Sequence, residues 1–89
     1  MEIARYLQRR FRLQYDGITQ VMVTVGGSEA IDLFLRSVAE PGAEVLIPEP
    51  SFVCYSPITR LAGGVPVIVA LSEENEFKLT AEQLRNAIT

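Results

Sequence analysis

Eighty-nine residues with a formal charge of −3 and 48% hydrophobic side chains allow at most one small domain. The negative balance argues against a nucleic-acid partner, since phosphate backbones call for clustered Lys and Arg. Having no histidine, the chain lacks the commonest general base and the commonest metal ligand, so no metal site is expected. One cysteine permits no internal disulfide and suits a reducing cytoplasm. The apolar runs are short and interrupted, which speaks against a membrane span or a signal peptide. A mean hydropathy of +0.21 is rich for a small free-standing domain and typical of a buried sheet inside a larger one.

In chain order, EIARYLQRRFRL (2–13) sets Ile3, Leu7 and Phe11 at i, i+4, i+8 with Tyr6 beside them, which predicts a helix. Its run Arg9-Arg10-Phe11-Arg12 reads as the wet face and cation-friendly end of that helix. Residues 14–19, with Asp16-Gly17, form a turn. QVMVTV (20–25) is β-branched and nearly all apolar, the pattern of a strand covered on both faces. Gly26 and Gly27 break it. EAIDLFLRSVA (29–39) follows as a helix with Ile31, Phe34, Leu35 and Val38 on one stripe and an exposed Asp32/Arg36 pair on the other side. Pro41-Gly42 ends it. EVLI (44–47) is a second strand stopped by Pro48, and PEPSFVCYS is an ordered turn dense in aromatics. Ser56-Pro57 reads as N-cap and first residue of a helix that closes at Gly63-Gly64. VPVIVAL (65–71) is a third strand whose Pro66 suggests a sheet edge. SEENEF (72–77) is a polar loop. Thr80-Ala81-Glu82-Gln83 is a capping box that opens a last helix to about Ile88.

The order α-β-α-β-α-β-α implies crossovers, a mostly parallel sheet and an α/β fold. Ligands of such sheets sit beyond the carboxyl ends of the strands. Gly26-Gly27-Ser28 lies at one such end and opens a helix. The first-turn amides there lack intrahelical partners, glycine lets an anion come close, and the Ser28 hydroxyl adds a donor. A plain turn with a helix cap explains the same residues; no lysine follows as in a nucleotide P-loop, and the third glycine of the dinucleotide fingerprint is absent. The second strand ends at the same edge and leads into PSFVCY, where Phe52 and Tyr55 could stack on a flat ring or could simply pack under the loop. Taken together, the two corners describe a ligand with a phosphate at one end and a ring at the other. Cys54 has no histidine or second cysteine to activate it and reads as a bystander.

VTVGGSEAIDLFLRSVAEPGAEVLIPEPSFVCYSPITRLAGGVPVIV resembles the large-domain core of class I/II aminotransferases, the pyridoxal-phosphate enzymes of fold type I. The likeness runs from about Arg5 to Ala87. It rests on IARYLQRRF, VTVGGSEAI, PGAEVLIPEPSF and RLAGG recurring in order. It implies that Gly27, Ser28 and Glu29 match the loop holding the cofactor phosphate, Glu29 through its backbone amide with its carboxylate turned away. Phe52 matches the aromatic stacked on the pyridine ring, and Tyr55 a residue near substrate and cofactor. It further implies a partial excerpt of the cofactor-binding large domain over 1–89, amino-acid and 2-oxo-acid substrates, and a cytoplasmic setting. A lyase-like relative of the same fold type and a non-catalytic interaction module are the alternatives.

The lysine that such an enzyme needs for covalent cofactor attachment is not recognisable. The only lysine, Lys78, sits in a polar loop without the expected serine-rich strand, and reads as a surface residue. Asp16 and Asp32 are a turn residue and a helix-surface residue, so no catalytic residue is assigned. The resemblance separates the first strand from the other two by strands not found here, so open apolar edges and association or strand exchange between copies are expected. The 89 residues alone are expected to show no transaminase activity and at most weak pyridoxal-phosphate binding. An absorbance band of a protein–cofactor adduct that survives Lys78→Ala would contradict this.

Overall fold

A computed structural model describes residues 1–89. The elements are α1 (Glu2–Phe11), α2 (Gly26–Val38), β1 (Glu44–Glu49), α3 (Tyr55–Leu61), β2 (Val65–Ala70), a single 3-10 turn (Glu73–Asn75) and α4 (Ala81–Ala87). β1 and β2 pair in parallel, from Glu44 opposite Val65 to Glu49 opposite Ala70. Parallel neighbours need a crossover, and α3 supplies it. The ladder runs from Val65 N–H donating to Ala43 O at 2.7 Å to Leu71 N–H donating to Glu49 O at 2.8 Å. The odd-numbered residues of both strands therefore face each other. Pro48 and Pro66 fall on the outward-facing positions, where no N–H is required. That is why β1 runs through Pro48 instead of stopping there, and why Pro66 sits within β2.

The core gathers at this crossover. Ile47, Ile58 and Val69 are its buried apolar residues, and Thr59, only 1% exposed, is buried with them. Thr59 satisfies its hydroxyl by donating to Tyr55 O at 2.8 Å. Gly64 makes a close approach here: a Cβ would come to 3.1 Å from both Ala43 O and Thr59 Cγ2, so a side chain would need its neighbours to shift by a few tenths of an ångström. Gly63, at φ +86°, provides the left-handed end of α3. α4 closes over β2, with Gln83 Nε2 donating to Ala70 O at 2.8 Å. Its predicted capping box forms: Gln83 N–H donates to Thr80 Oγ1 and Thr80 N–H donates to Gln83 Oε1, both at 3.1 Å.

Three local expectations change. Residues 20–25 form no strand, because β1 and β2 pair only with each other and offer this segment no ladder. Its apolar side chains stand in the open, Met22 at 75%, Val23 at 68% and Val25 at 86% exposure. α2 starts at Gly26 rather than residue 29. α3 starts at Tyr55, so Ser56 is helical and does not cap. α1 buries no residue and faces Gln14, Tyr15 and Gly17 across a shallow cleft. The Cα radius of gyration is 16.0 Å, against about 12 Å for a compact domain of this length. The accessible surface is 7051 Å², against roughly 5200 Å² for a folded monomer of this mass.

With so few buried side chains, each one matters. Ile47→Ala is expected to cost about 2–4 kcal/mol, whereas Val23→Thr on the open segment should stay within about 0.5 kcal/mol. Urea unfolding followed by far-UV circular dichroism measures both.

Candidate functional site

Residues 39–43 join α2 to β1, a connection so short that the helix must run back against the strand it precedes. The N-terminus of α2 therefore lies toward the end where β1 finishes. Ile31 and Leu35 are half-buried against the strand, while Phe34 and Val38 of the predicted stripe remain exposed. On the far side of the helix the Asp32/Arg36 pair forms, with Arg36 Nε at 2.9 Å from Asp32 Oδ1. A groove of about 480 Å³ separates α2 from β1 and α3, and eight of its ten lining residues are apolar. Ala30 and Ile31 from the start of α2, Pro48 from the end of β1, and Tyr55 all line it.

At the start of α2 the donors can be counted. The first four amides of this helix, those of Val25, Gly26, Gly27 and Ser28, have no acceptor within it. Val25 N–H donates to the Glu29 carboxylate, 3.0 Å away at Oε2. No hydrogen bond engages the N–H groups of Gly26, Gly27 or Ser28. Gly26 holds φ +78°, a conformation that favours glycine, and its carbonyl accepts from Thr24 Oγ1 at 2.9 Å. A Cβ built at Gly26 or Gly27 would meet nothing within 4 Å, so the backbone is bare on that side. Three exposed, unengaged amides with the positive end of the helix dipole behind them suit the chemistry of a phosphate group.

The second corner follows β1. Phe52 and Tyr55 form an edge-to-face pair, with ring centroids 5.6 Å apart and planes at 81°. Phe52 is 47% exposed and keeps a ring face free, while Tyr55 is half-buried in the wall of the groove. Of the five residues marked from the sequence, Tyr55 lines the groove. Gly27, Ser28, Glu29 and Phe52 do not line it; the first three start the helix that supplies one wall, and Phe52 packs on Tyr55. Sequence reading marked the Gly26-Gly27-Ser28 corner, although the family resemblance named only Gly27, Ser28 and Glu29, and it missed the side chains of Thr24 and Glu29 as partners of the corner. Lys78 lies outside both corners, paired with Glu76 at 2.7 Å on the surface.

The crossover unit, with a donor-rich glycine corner and an aromatic turn at one end of its strand, is of the parallel-sheet α/β class, whose ligands sit beyond the carboxyl ends of the strands. Residues 1–89 match the family of class I and II aminotransferases along their whole length, and the chain belongs to that family. YugH of Bacillus subtilis (strain 168) is 47% identical over 88 residues, covering 99% of this chain and 23% of the relative. The aspartate aminotransferase of Pyrococcus abyssi (strain GE5 / Orsay) is 41% identical over 87 residues, covering 98% and 22%. Among solved structures, the aromatic aminotransferase of Pyrococcus horikoshii OT3 superposes with a TM-score of 0.91 at 40% identity, covering 98% of this chain and 23% of that one. The chain thus spans less than a quarter of the length of these relatives. It is a mixed helix-and-strand piece of the fold type I architecture.

The two glycines carry different demands. Gly26→Ala is expected to cost about 1 kcal/mol through its left-handed backbone alone. Gly27→Ala meets neither a steric neighbour nor a positive φ, and is expected to be neutral or stabilising by up to about 1 kcal/mol. Paired chemical denaturation curves distinguish the two.

Proposed function

We propose that this chain forms part of the cofactor-binding large domain of a pyridoxal-phosphate-dependent aminotransferase, which moves an amino group from an amino acid to a 2-oxo acid. The observation that carries the reading is the set of three unengaged amides at Gly26, Gly27 and Ser28, at the end of α2 where the groove reaches Tyr55. When bound, pyridoxal phosphate supplies the electron sink for chemistry at the amino acid's Cα.

This chain's residues bind and orient. The amides of Gly26, Gly27 and Ser28, with the Ser28 hydroxyl and the Glu29 amide beyond them, hold the phosphate end. Phe52 offers a ring face to the heterocycle, and Tyr55 fixes Phe52 edge-on while closing the groove toward the substrate side. Ile31, Leu35 and Ile47 give the groove apolar walls beside that end. None of the 89 residues is assigned proton transfer: Lys78 is spent on a surface ion pair. Substrate identity stays general, since relatives of similar closeness include aspartate, aromatic and N-succinyldiaminopimelate aminotransferases. The single cysteine and the absence of a helix long and apolar enough to cross a membrane accord with a cytoplasmic setting. The surface in excess of a compact monomer supports association of this part of the protein, with strand exchange one route to it.

The test uses a full-length framework: the aspartate aminotransferase of P. abyssi with its matching stretch replaced by this chain, stripped of cofactor and titrated with pyridoxal phosphate by absorbance. Phe52→Leu is expected to weaken binding about 2- to 12-fold, the worth of one aromatic stacking contact. Ser28→Ala is expected to weaken it about 10- to 150-fold through one lost hydrogen bond to a charged group. Unchanged affinity in both variants would overturn the proposal.

A further inference from the structure

The glycine corner carries a problem of its own. Two successive glycines lose more conformational freedom on ordering than any other pair, so a donor set built on them should be loose. Yet two peptide units of this stretch, Thr24–Val25 and Gly26–Gly27, are held by side chains. In the first, Val25 N–H donates to Glu29 Oε2 at 3.0 Å; in the second, the Gly26 carbonyl accepts from Thr24 Oγ1 at 2.9 Å. Neither bond uses the amides of Gly26, Gly27 or Ser28. Glu29 makes no ion pair, and the bond to Val25 is the one its carboxylate forms. The carboxylate also brings a negative charge to the end of the helix where a phosphate would bind. Such a charge competes with a phosphate, so the side chain is electrostatically adverse to that ligand and useful to it only through geometry.

We propose that Glu29 is a positioning residue for the phosphate corner. Its carboxylate anchors Val25 N–H and so fixes the backbone entering Gly26, with Thr24 as the second clamp, leaving the next three amides aligned and free. This rests on the reading that a phosphate binds at this corner, and it assigns to the Glu29 side chain a role that the backbone amide does not cover. The hydrogen bond, not the charge, performs it. Glutamine at this position keeps an acceptor of the same reach and removes the repulsion, whereas alanine removes both.

The experiment titrates inorganic phosphate and pyridoxal phosphate against the cofactor-free full-length framework described above, in four forms: parent, Glu29→Gln, Glu29→Ala and Ser28→Asp. Glu29→Ala is expected to bind both ligands about tenfold more weakly, the scale of a lost cap. Glu29→Gln should restore parental affinity or exceed it. Equal affinity in parent and Glu29→Ala would overturn the inference, and so would Glu29→Gln as weak as Glu29→Ala, which would assign the effect to charge. Ser28→Asp places a fixed anion among the free amides and should abolish binding of both ligands. If it binds like the parent, the phosphate reading itself fails, whatever Glu29 does. Hydrogen exchange in the 89-residue chain gives a readout that needs no cofactor. The Val25 amide should exchange slowly in the parent and in Glu29→Gln and at least about tenfold faster in Glu29→Ala; equal rates in all three would overturn the proposal.

Discussion

The parallel pairing of β1 with β2 is the constraint on which the rest of the chain depends. Parallel strands cannot be joined by a tight turn, so the chain between them must climb over the sheet, and α3 with its buried Ile58 and Thr59 is the result. The crossover brings Gly64 so close to Ala43 and Thr59 that a side chain there would have to displace its neighbours. With β1 fixed, both candidate corners are fixed as well. Its first residue follows α2 after a short connection, and its last leads directly into the turn that carries Phe52.

Position at the end of a strand is therefore a property of topology before it is one of chemistry. A helix returning against the next strand must point its N-terminus toward that strand's far end. The donors of α2 and the rings that follow β1 are drawn toward one side of the sheet without any direct contact between them. The groove between α2 and β1 is mostly apolar because it is the cleft between a helix stripe and a strand face, with Ile31 and Leu35 on one side and Val45, Leu46 and Ile47 on the other. Its polar contributions come from Tyr55 and the buried Thr59.

Much of this was legible in the sequence where the signal was local. The Thr80–Gln83 capping box, the left-handed turn at Gly63 and the Asp32/Arg36 pair each depend on residues a few positions apart, and each formed. Residues 20–25 failed for the opposite reason. Val21, Val23 and Val25 carry the composition of a strand, but a strand exists only against a neighbour, and composition does not say whether a neighbour is there. Pro48 misled in a subtler way: proline stops a strand only where its nitrogen faces the ladder, and that parity is set by the register with β2. The site was legible in outline because glycine pairs and aromatic turns are local signals. Its finer accounting was not, since no sequence rule links Val25 to a carboxylate four residues on.

The chain's helices differ in how their first-turn donors are engaged, and α1 also leaves the amides of Glu2, Ile3 and Ala4 without a protein acceptor. α4 occupies its first donors with the Thr80 and Gln83 side chains. α3 has fewer to occupy: Tyr55 N–H donates to Phe52 O, Pro57 has no N–H, and Ile58 N–H already reaches Cys54 O. Only α2 combines a glycine-bared backbone with three unengaged amides. Its side-chain partners serve the flanking groups and leave those amides alone, so the vacancy cannot be put down to a shortage of acceptors: a carboxylate and a serine hydroxyl stand within the first turn. A helix end that has caps to hand and keeps three donors free is physically suited to a ligand that brings its own oxygens.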